Sequence, residues 1–260
     1  MSLDWTLPKN DPWSTPFADS LLHHLELAPD LKVLDIAAGG GIPAFHIADK
    51  IGPQGHVLAI DINPHQILRA RSTQQGRMPW LKFEVADMKQ LPPGFSRFDR
   101  ITGNLSFMFF RPNRPEALQQ LLDFLNPGGQ IVLTFPSLGT FDSLWDQVRL
   151  RMKAQGHMKE LERFEEYFEE RPSAQHARQW LAELGMEKID VTEWPLEIPT
   201  GRGRQFLEHP LLRGGFLDDV YECFEDPSLA ETFMTELSAD TESFTPLHAI
   251  RCAMSGWKPA

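Results

Sequence analysis

The sequence predicts an α/β fold, with a mostly parallel sheet covered by helices on both faces. Three observations carry that expectation. The stretch Lys32 to Ala44 reads as a buried strand running through a glycine loop into a helix. Two further apolar strands, His56 to Asp61 and Leu81 to Asp87, each end on a carboxylate. A leucine-striped helix, Arg114 to Leu125, then passes through Asn126-Pro127-Gly128-Gly129 into the apolar strand Gln130 to Phe135. Strands covered on both faces need continuous apolar runs, and parallel neighbours need crossover helices, so this alternation suits a parallel sheet.

A chain of 260 residues can form one large domain, or one domain with a cap. Its net charge of −11 and the lack of a Lys/Arg run argue against nucleic acid, whose phosphates need a basic patch, and favour small or apolar substrates. No apolar run approaches the ~20 residues of a membrane span. The start Met1-Ser2-Leu3-Asp4-Trp5 lacks a basic and then apolar signal, so a cytoplasmic protein is expected. Cys223 and Cys252 fit no metal or redox spacing and read as buried free thiols.

Taken in order, Asn10 to Leu27 is a helix with Phe17, Leu21, Leu22 and Leu25 on one side, Asp11-Pro12 as its start and Pro29 as its stop. Trp5, Trp13 and Phe17 either pack this helix on the sheet or fold over a ligand. The helix Ile42 to Ile51 carries Pro43 in its first turn, where the missing N–H is not needed. Asn63-Pro64 supplies the cap of the next helix and leaves Asp61 free of that duty. A fourth strand ends at Asn104 and leads into the apolar run Phe107-Met108-Phe109-Phe110 and Arg111.

After the fifth strand, Leu138 to Met152 reads as a helix. Met158, Leu161, Phe164 and Phe168 mark another, with Glu162, Glu165, Glu166 and Glu169 as a solvated face. Ser173 to Leu184 is a helix, Lys188 to Thr192 a sixth strand, and Pro246 to Trp257 a closing seventh. Helical spacing at Phe216, Leu217, Val220 and Phe224, then Asp226-Pro227, adds two more helices. The stretches at about 137–172 and 195–243 read as a helical cap over the sheet's ligand edge in preference to an oligomer surface.

Glycines at a strand-to-helix turn admit a ligand where a Cβ would block it, and the helix N-terminus favours an anionic group. Gly39-x-Gly41-x-x-Ala44 followed by Asp61 satisfies the dinucleotide fingerprint, which keeps a nicotinamide-dependent oxidoreductase open. Asp35 opposes that reading, because a carboxylate at the strand end repels a pyrophosphate and welcomes an amino group. An apolar pair, Asp35, Ala37, Gly39 and Gly41 resemble motif I of the class I S-adenosylmethionine-dependent methyltransferases, with Ala37 in place of the first glycine. The helix, Pro127-Gly128-Gly129 and the strand after it are similar to the same family, so the likeness runs from Asp35 to Phe135.

The resemblance implies a Rossmann-like, seven-stranded, single methyltransferase domain over residues 1–260, S-adenosylmethionine as cofactor and S-adenosylhomocysteine as its product. It assigns Asp35, Ala37, Gly39 and Gly41 to the methionine end, Asp61 and Ile62 to the ribose, and Ala86, Asp87 and Met88 to the adenine. Asn104 falls where the transferable methyl is presented, and Trp13, Phe17, Phe107, Phe110 and Arg111 fall where an acceptor enters. The middle of the chain is similar to quinone C-methyltransferases. Leu133 to Phe141 also resembles malonyl-carrier-protein O-methyltransferases, but no arginine follows until Arg149, which argues against a malonyl group. His24, His46, His209 and His248 read as satisfied or exposed, so no catalytic base is named, and no metal is implied. The expected activity is O- or C-methylation of a small apolar or carrier-linked acceptor. A cofactor-binding protein without catalysis is the other class.

Overall fold

The computed structural model describes residues 13–91, 97–111, 113–209 and 211–260. In chain order its first elements are α1 (Ser14–His24), β1 (Lys32–Ile36), α2 (Ile42–Ile51), β2 (His56–Asp61), α3 (Pro64–Gln74), β3 (Leu81–Val85) and β4 (Phe98–Gly103). Then come α4 (Arg114–Asp123), β5 (Leu125–Pro136), α5 (Asp142–Gln155), α6 (Met158–Glu169), α7 (Ala174–Glu183) and β6 (Glu187–Ile198). The chain ends with α8 (Arg204–Leu207), α9 (Leu217–Glu222), α10 (Pro227–Ala239) and β7 (Leu247–Trp257).

The seven strands form one sheet in the order β3-β2-β1-β4-β5-β7-β6. β1 pairs in parallel with β2 and β4, β2 with β3 and β4 with β5, whereas β7 runs antiparallel to β5. This is the Rossmann-like α/β architecture the sequence predicts. Strand order reverses between β1 and β4, and in open α/β sheets the crevice beyond the carboxyl ends at such a point is where ligands bind. Two apolar layers flank the sheet. Val33, Val57, Ala59 and Val132 pack with Ala44, Ile47 and Ala48 of α2, while Leu34, Ile36, Ile101 and Leu133 pack with Leu118, Leu121 and Leu122 of α4.

The chain divides into two compact units: residues 1–136, 172–193 and 251–260, and residues 137–171 and 194–250. The second unit is mainly helical, around buried Phe141, Trp145, Phe164, Phe206, Phe233 and Leu237. Its reach to Ile250 has a simple cause: the backbone N–H groups of Ser137 and Phe141 donate to Ile250 O and His248 O, each at 2.8 Å.

Three expected boundaries shift for physical reasons. The expected turn at Pro127-Gly128-Gly129 lies within β5, where Leu125 pairs with Phe98 but Gln130 already pairs with Arg100. The residues between bulge out, with Gly128 at φ 71°. α5 begins at Asp142 and not Leu138, because Gly139 (φ 95°) and Phe141 (φ 63°) adopt left-handed conformations that helix cannot include. β6 runs on to Ile198, beyond the expected Thr192. The start of the first helix at Asn10, and Trp5, lie outside the described residues.

Candidate cofactor site

At the carboxyl ends of β1 and β4 lies a cavity of about 130 Å³, lined by Ser14, Asp35, Ala37 to Gly40, Ile42, Pro43, Asn104 and Leu105. Of the residues the sequence assigns to the cofactor, Asp35, Ala37, Gly39 and Asn104 meet here. Asp35 is fully buried, and its Oδ1 accepts a 2.8 Å hydrogen bond from the Thr102 hydroxyl on the neighbouring strand. Its Oδ2 is shut from solvent without a partner. Burial pushes this carboxyl from 3.8 up to about 7; the Thr102 hydrogen bond opposes the rise, and the charge of Asp61 adds to it. An isolated buried carboxylate is costly. The orphaned oxygen is therefore a ready acceptor for a cation, and an ammonium group would supply the missing partner.

The glycines divide in role. A Cβ on Gly39 would enter open space, so the φ of +52° and the cavity alone explain that glycine. Gly41 answers to packing: a Cβ there would stand 2.6 Å from the Phe83 ring. Its backbone, at φ 84°, is the N-cap of α2. Ala37 adopts φ 49°, a left-handed conformation that a glycine would hold without strain.

Asp61 fastens the loop. Its Oδ2 accepts from Gly39 N–H and its Oδ1 from Asn63 N–H, both at 2.8 Å. Each carboxylate oxygen has a second lone pair, so hydroxyls can still be served. Asn63 caps α3 through His65 N–H at 2.9 Å. Ile62 and Val85 are 68% and 53% exposed although apolar. They lie at adjacent strand ends, since Asp61 pairs with Val85. Asp87 forms a turn, accepting from Lys89 N–H at 2.9 Å and Gln90 Nε2 at 3.1 Å, and Ala86 and Met88 pack against the core edge. Ile62, Ala86, Asp87 and Met88 do not line the cavity.

Asn104 is held at both ends. Thr134 Oγ1 donates to its Oδ1 at 2.7 Å, and its Nδ2 donates to Ser14 O at 3.1 Å. Ser14, Thr102 and Thr134 escape sequence reasoning, since an isolated hydroxyl carries no spacing signal. The two lining residues Ile42 and Pro43 were read only as the start of α2.

Three of the residues expected to meet an acceptor are shut inside the protein. Phe107 and Phe110 are buried, with Phe107 set against Phe135 at 5.1 Å and Trp180 at 5.5 Å, so this run is core and Phe109 is its exposed member. Phe17 is likewise fully buried, with Trp13 packed on it at 4.8 Å. Their apolar bulk suits the interior better than a substrate channel. Arg111 is half-buried, and its carbonyl accepts from Lys89 Nζ at 3.3 Å. His24 is satisfied: Ser20 O lies 2.7 Å from its Nδ1 and Thr192 Oγ1 2.8 Å from its Nε2. Cys223 and Cys252 are buried free thiols.

Residues 33–129 match the family model described as a methyltransferase domain. Over that stretch, which holds β1 to the start of β5, the chain is similar to methyltransferase domains. Aklanonic acid methyltransferase DauC from Streptomyces sp. (strain C5) is 37% identical over 136 residues, covering 50% of this chain and 60% of that protein. The ubiquinone/menaquinone biosynthesis C-methyltransferase UbiE of Brucella anthropi is 34% identical over 125 residues, 46% of this chain and 47% of its own. The chain therefore spans about half the length of these curated relatives. The crystal structure of YcgJ protein from Bacillus subtilis is similar in fold, with a TM-score of 0.60 at 16% identity, covering 95% of this chain and 99% of that one.

Proposed function

We propose that this protein is an S-adenosylmethionine-dependent methyltransferase acting on a small organic acceptor by O- or C-methylation. The observation that carries the reading is the unpartnered Oδ2 of buried Asp35 at the mouth of the glycine loop. The cofactor's amino acid end brings an ammonium to that oxygen, and its carboxylate suits the free N–H groups at the start of α2. A dinucleotide would place a pyrophosphate beside the same carboxylate, which disfavours hydride chemistry here. Bound S-adenosylmethionine supplies an electrophilic methyl on a sulfonium, with a neutral thioether as leaving group.

The chain's own task is then alignment. Asp35, fixed by Thr102, anchors the amino group; Asp61 accepts from ribose hydroxyls; Ile62, Ala86, Asp87 and Met88 form the adenine end. Asn104, locked by Thr134 and Ser14, borders the position of the methyl. Alignment of this kind is worth up to ~7–11 kcal/mol, more than the ~3–5 kcal/mol of a general base, so no base is required by the arithmetic. Trp13 and Arg111 remain the parts of the first unit we assign to the acceptor. The net charge of −11, with relatives named for aklanonic acid and for quinone biosynthesis, supports a small organic or carrier-linked acceptor over nucleic acid. Two buried free thiols support a reducing, cytoplasmic setting, and no helix among the described residues is long and apolar enough to cross a membrane.

Calorimetric titration with S-adenosylmethionine, S-adenosylhomocysteine and NADH tests the reading. Micromolar binding of the first two and none of the third is expected. Binding of NADH alone would replace methyl transfer with hydride transfer.

A further inference from the structure

The second unit buries a cation whose surroundings the methyl-transfer site does not use. Arg171, just beyond α6, places its guanidinium carbon 4.5 Å from the centroid of the Trp145 ring. Phe168 follows at 4.9 Å, Tyr167 at 5.5 Å and Phe216 at 5.9 Å. Nη1 donates to Thr140 O at 3.3 Å, a long bond, while Nη2 is shut from solvent and donates to nothing. Asp142 and Asp219 act on the guanidinium through their charge, and the Tyr167 hydroxyl accepts a hydrogen bond from it. Among the described residues no carboxylate forms an ion pair with it.

Arg149, also in this unit, shows how an arginine is held when packing is its whole role. Its Nε and Nη2 grip both oxygens of Glu165 at 2.8 and 3.1 Å, its Nη1 reaches Asp146 at 3.3 Å, and the Phe168 ring lies 4.1 Å away. Arg149 has its anion and Arg171 does not. Aromatic faces attract a cation but accept no conventional N–H hydrogen bond in the plane of the guanidinium, so Nη2 of Arg171 is left without an acceptor.

We propose that Arg171 is the recognition point for a carboxylate carried by an aromatic ligand of the second unit. A guanidinium fork matches the planar geometry of a carboxylate, the dry surroundings strengthen the pair, and the flat rings suit an aromatic body. Phe216 lies on the π-helical turn Leu212–Phe216, which contains Gly214 and Gly215, and is the wall that yields to admit the ligand. The inference goes beyond the methyltransferase reading and concerns the second unit alone.

The test uses the full chain and a matched pair of probes, 2-naphthoate and its neutral isostere 2-naphthamide, titrated calorimetrically beside S-adenosylhomocysteine. Wild type should bind the acid at least about tenfold more tightly than the amide. Arg171→Met should equalise the two, and Arg171→Lys should keep part of the preference, since an ammonium retains the charge without the fork. Equal affinities in wild type, binding of neither probe, or a preference that survives Arg171→Met would each overturn the proposal. If Arg171→Met does not fold, as lost S-adenosylhomocysteine binding would reveal, the wild-type ratio and Arg171→Lys decide. Failure of wild type to bind S-adenosylhomocysteine would sink the methyltransferase reading instead, whatever the naphthoate result.

Discussion

Each unit of this protein leaves polar atoms of charged side chains shut from solvent and unpartnered, among them Oδ2 of Asp35 in the first and Nη2 of Arg171 in the second. The two differ in what holds them. Asp35 sits in the regular part of a parallel strand, between β2 and β4, with a single hydroxyl donor. Arg171 sits outside any helix or strand, held by rings, a carbonyl and the Tyr167 hydroxyl. A strand tip can offer a charge to a ligand because the sheet supplies its rigidity. A cation in a helical unit needs a cage to do the same. Both are costly without a partner, which is the physical reason to expect that each has one.

The largest effect should come from removing the first charge. Asp35→Asn is expected to weaken S-adenosylmethionine by a hundredfold or more, ~3 kcal/mol, the scale of breaking a buried ion pair. The same change should leave the ligand-free protein as stable or more so. With its carboxyl raised from 3.8 to about 7, the folded state holds a proton that the unfolded chain releases, so stability falls as pH rises from about 4 to 7. At ~1.4 kcal/mol per unit the loss is of order 4 kcal/mol, and Asn abolishes it. In wild type, affinity for the ammonium ligand should drop about tenfold per unit below pH 7. A flat pH profile, or a destabilised Asp35→Asn, would break the comparison at its stronger end.

Gly41→Ala comes next, at roughly 2–4 kcal/mol of stability by urea titration, because a left-handed backbone and the Phe83 ring both resist a Cβ. Gly39→Ala should cost only the backbone part. Asp61→Ala should weaken S-adenosylmethionine by ~1.5–3 kcal/mol, tenfold to a hundredfold, while also loosening the loop it ties through Gly39 and Asn63. An unchanged dissociation constant would make Asp61 a loop fastener and nothing more.

These residues were legible because strand, loop and carboxylate follow one another at fixed spacing along the chain. The sheet came through for the same reason: apolar runs at β1, β2 and β5 and the helix starts at Pro43 and Asn63 are local signals. Phe17, Phe107 and Phe110 are ambiguous in the sequence because a ring beside a strand end serves core and channel equally well in one dimension. Arg171 left no sign at all. Its cage joins Thr140 and Trp145 to Phe216, more than 70 positions further along the chain, and no periodicity connects them. Arg149 drew the attention instead, and it is already paired.

The smallest effect tests the one departure from the glycine pattern. Ala37 holds φ 49° and lines the cavity, so its methyl group carries a left-handed strain of ~1–2 kcal/mol. Glycine would remove the strain but lose ~0.4–1 kcal/mol through the greater freedom of its unfolded chain. Ala37→Gly should therefore raise stability by about 1 kcal/mol or less, read from the urea midpoint at constant slope. Because Asp35 and α2 are the proposed partners of the ligand's charges, its affinity should move less than about threefold. A loss of stability would mean that the Ala37 methyl is packed against something worth more than its strain. A large gain in affinity would mean that the methyl narrows the cavity, and that this loop is tuned to hold its cofactor loosely.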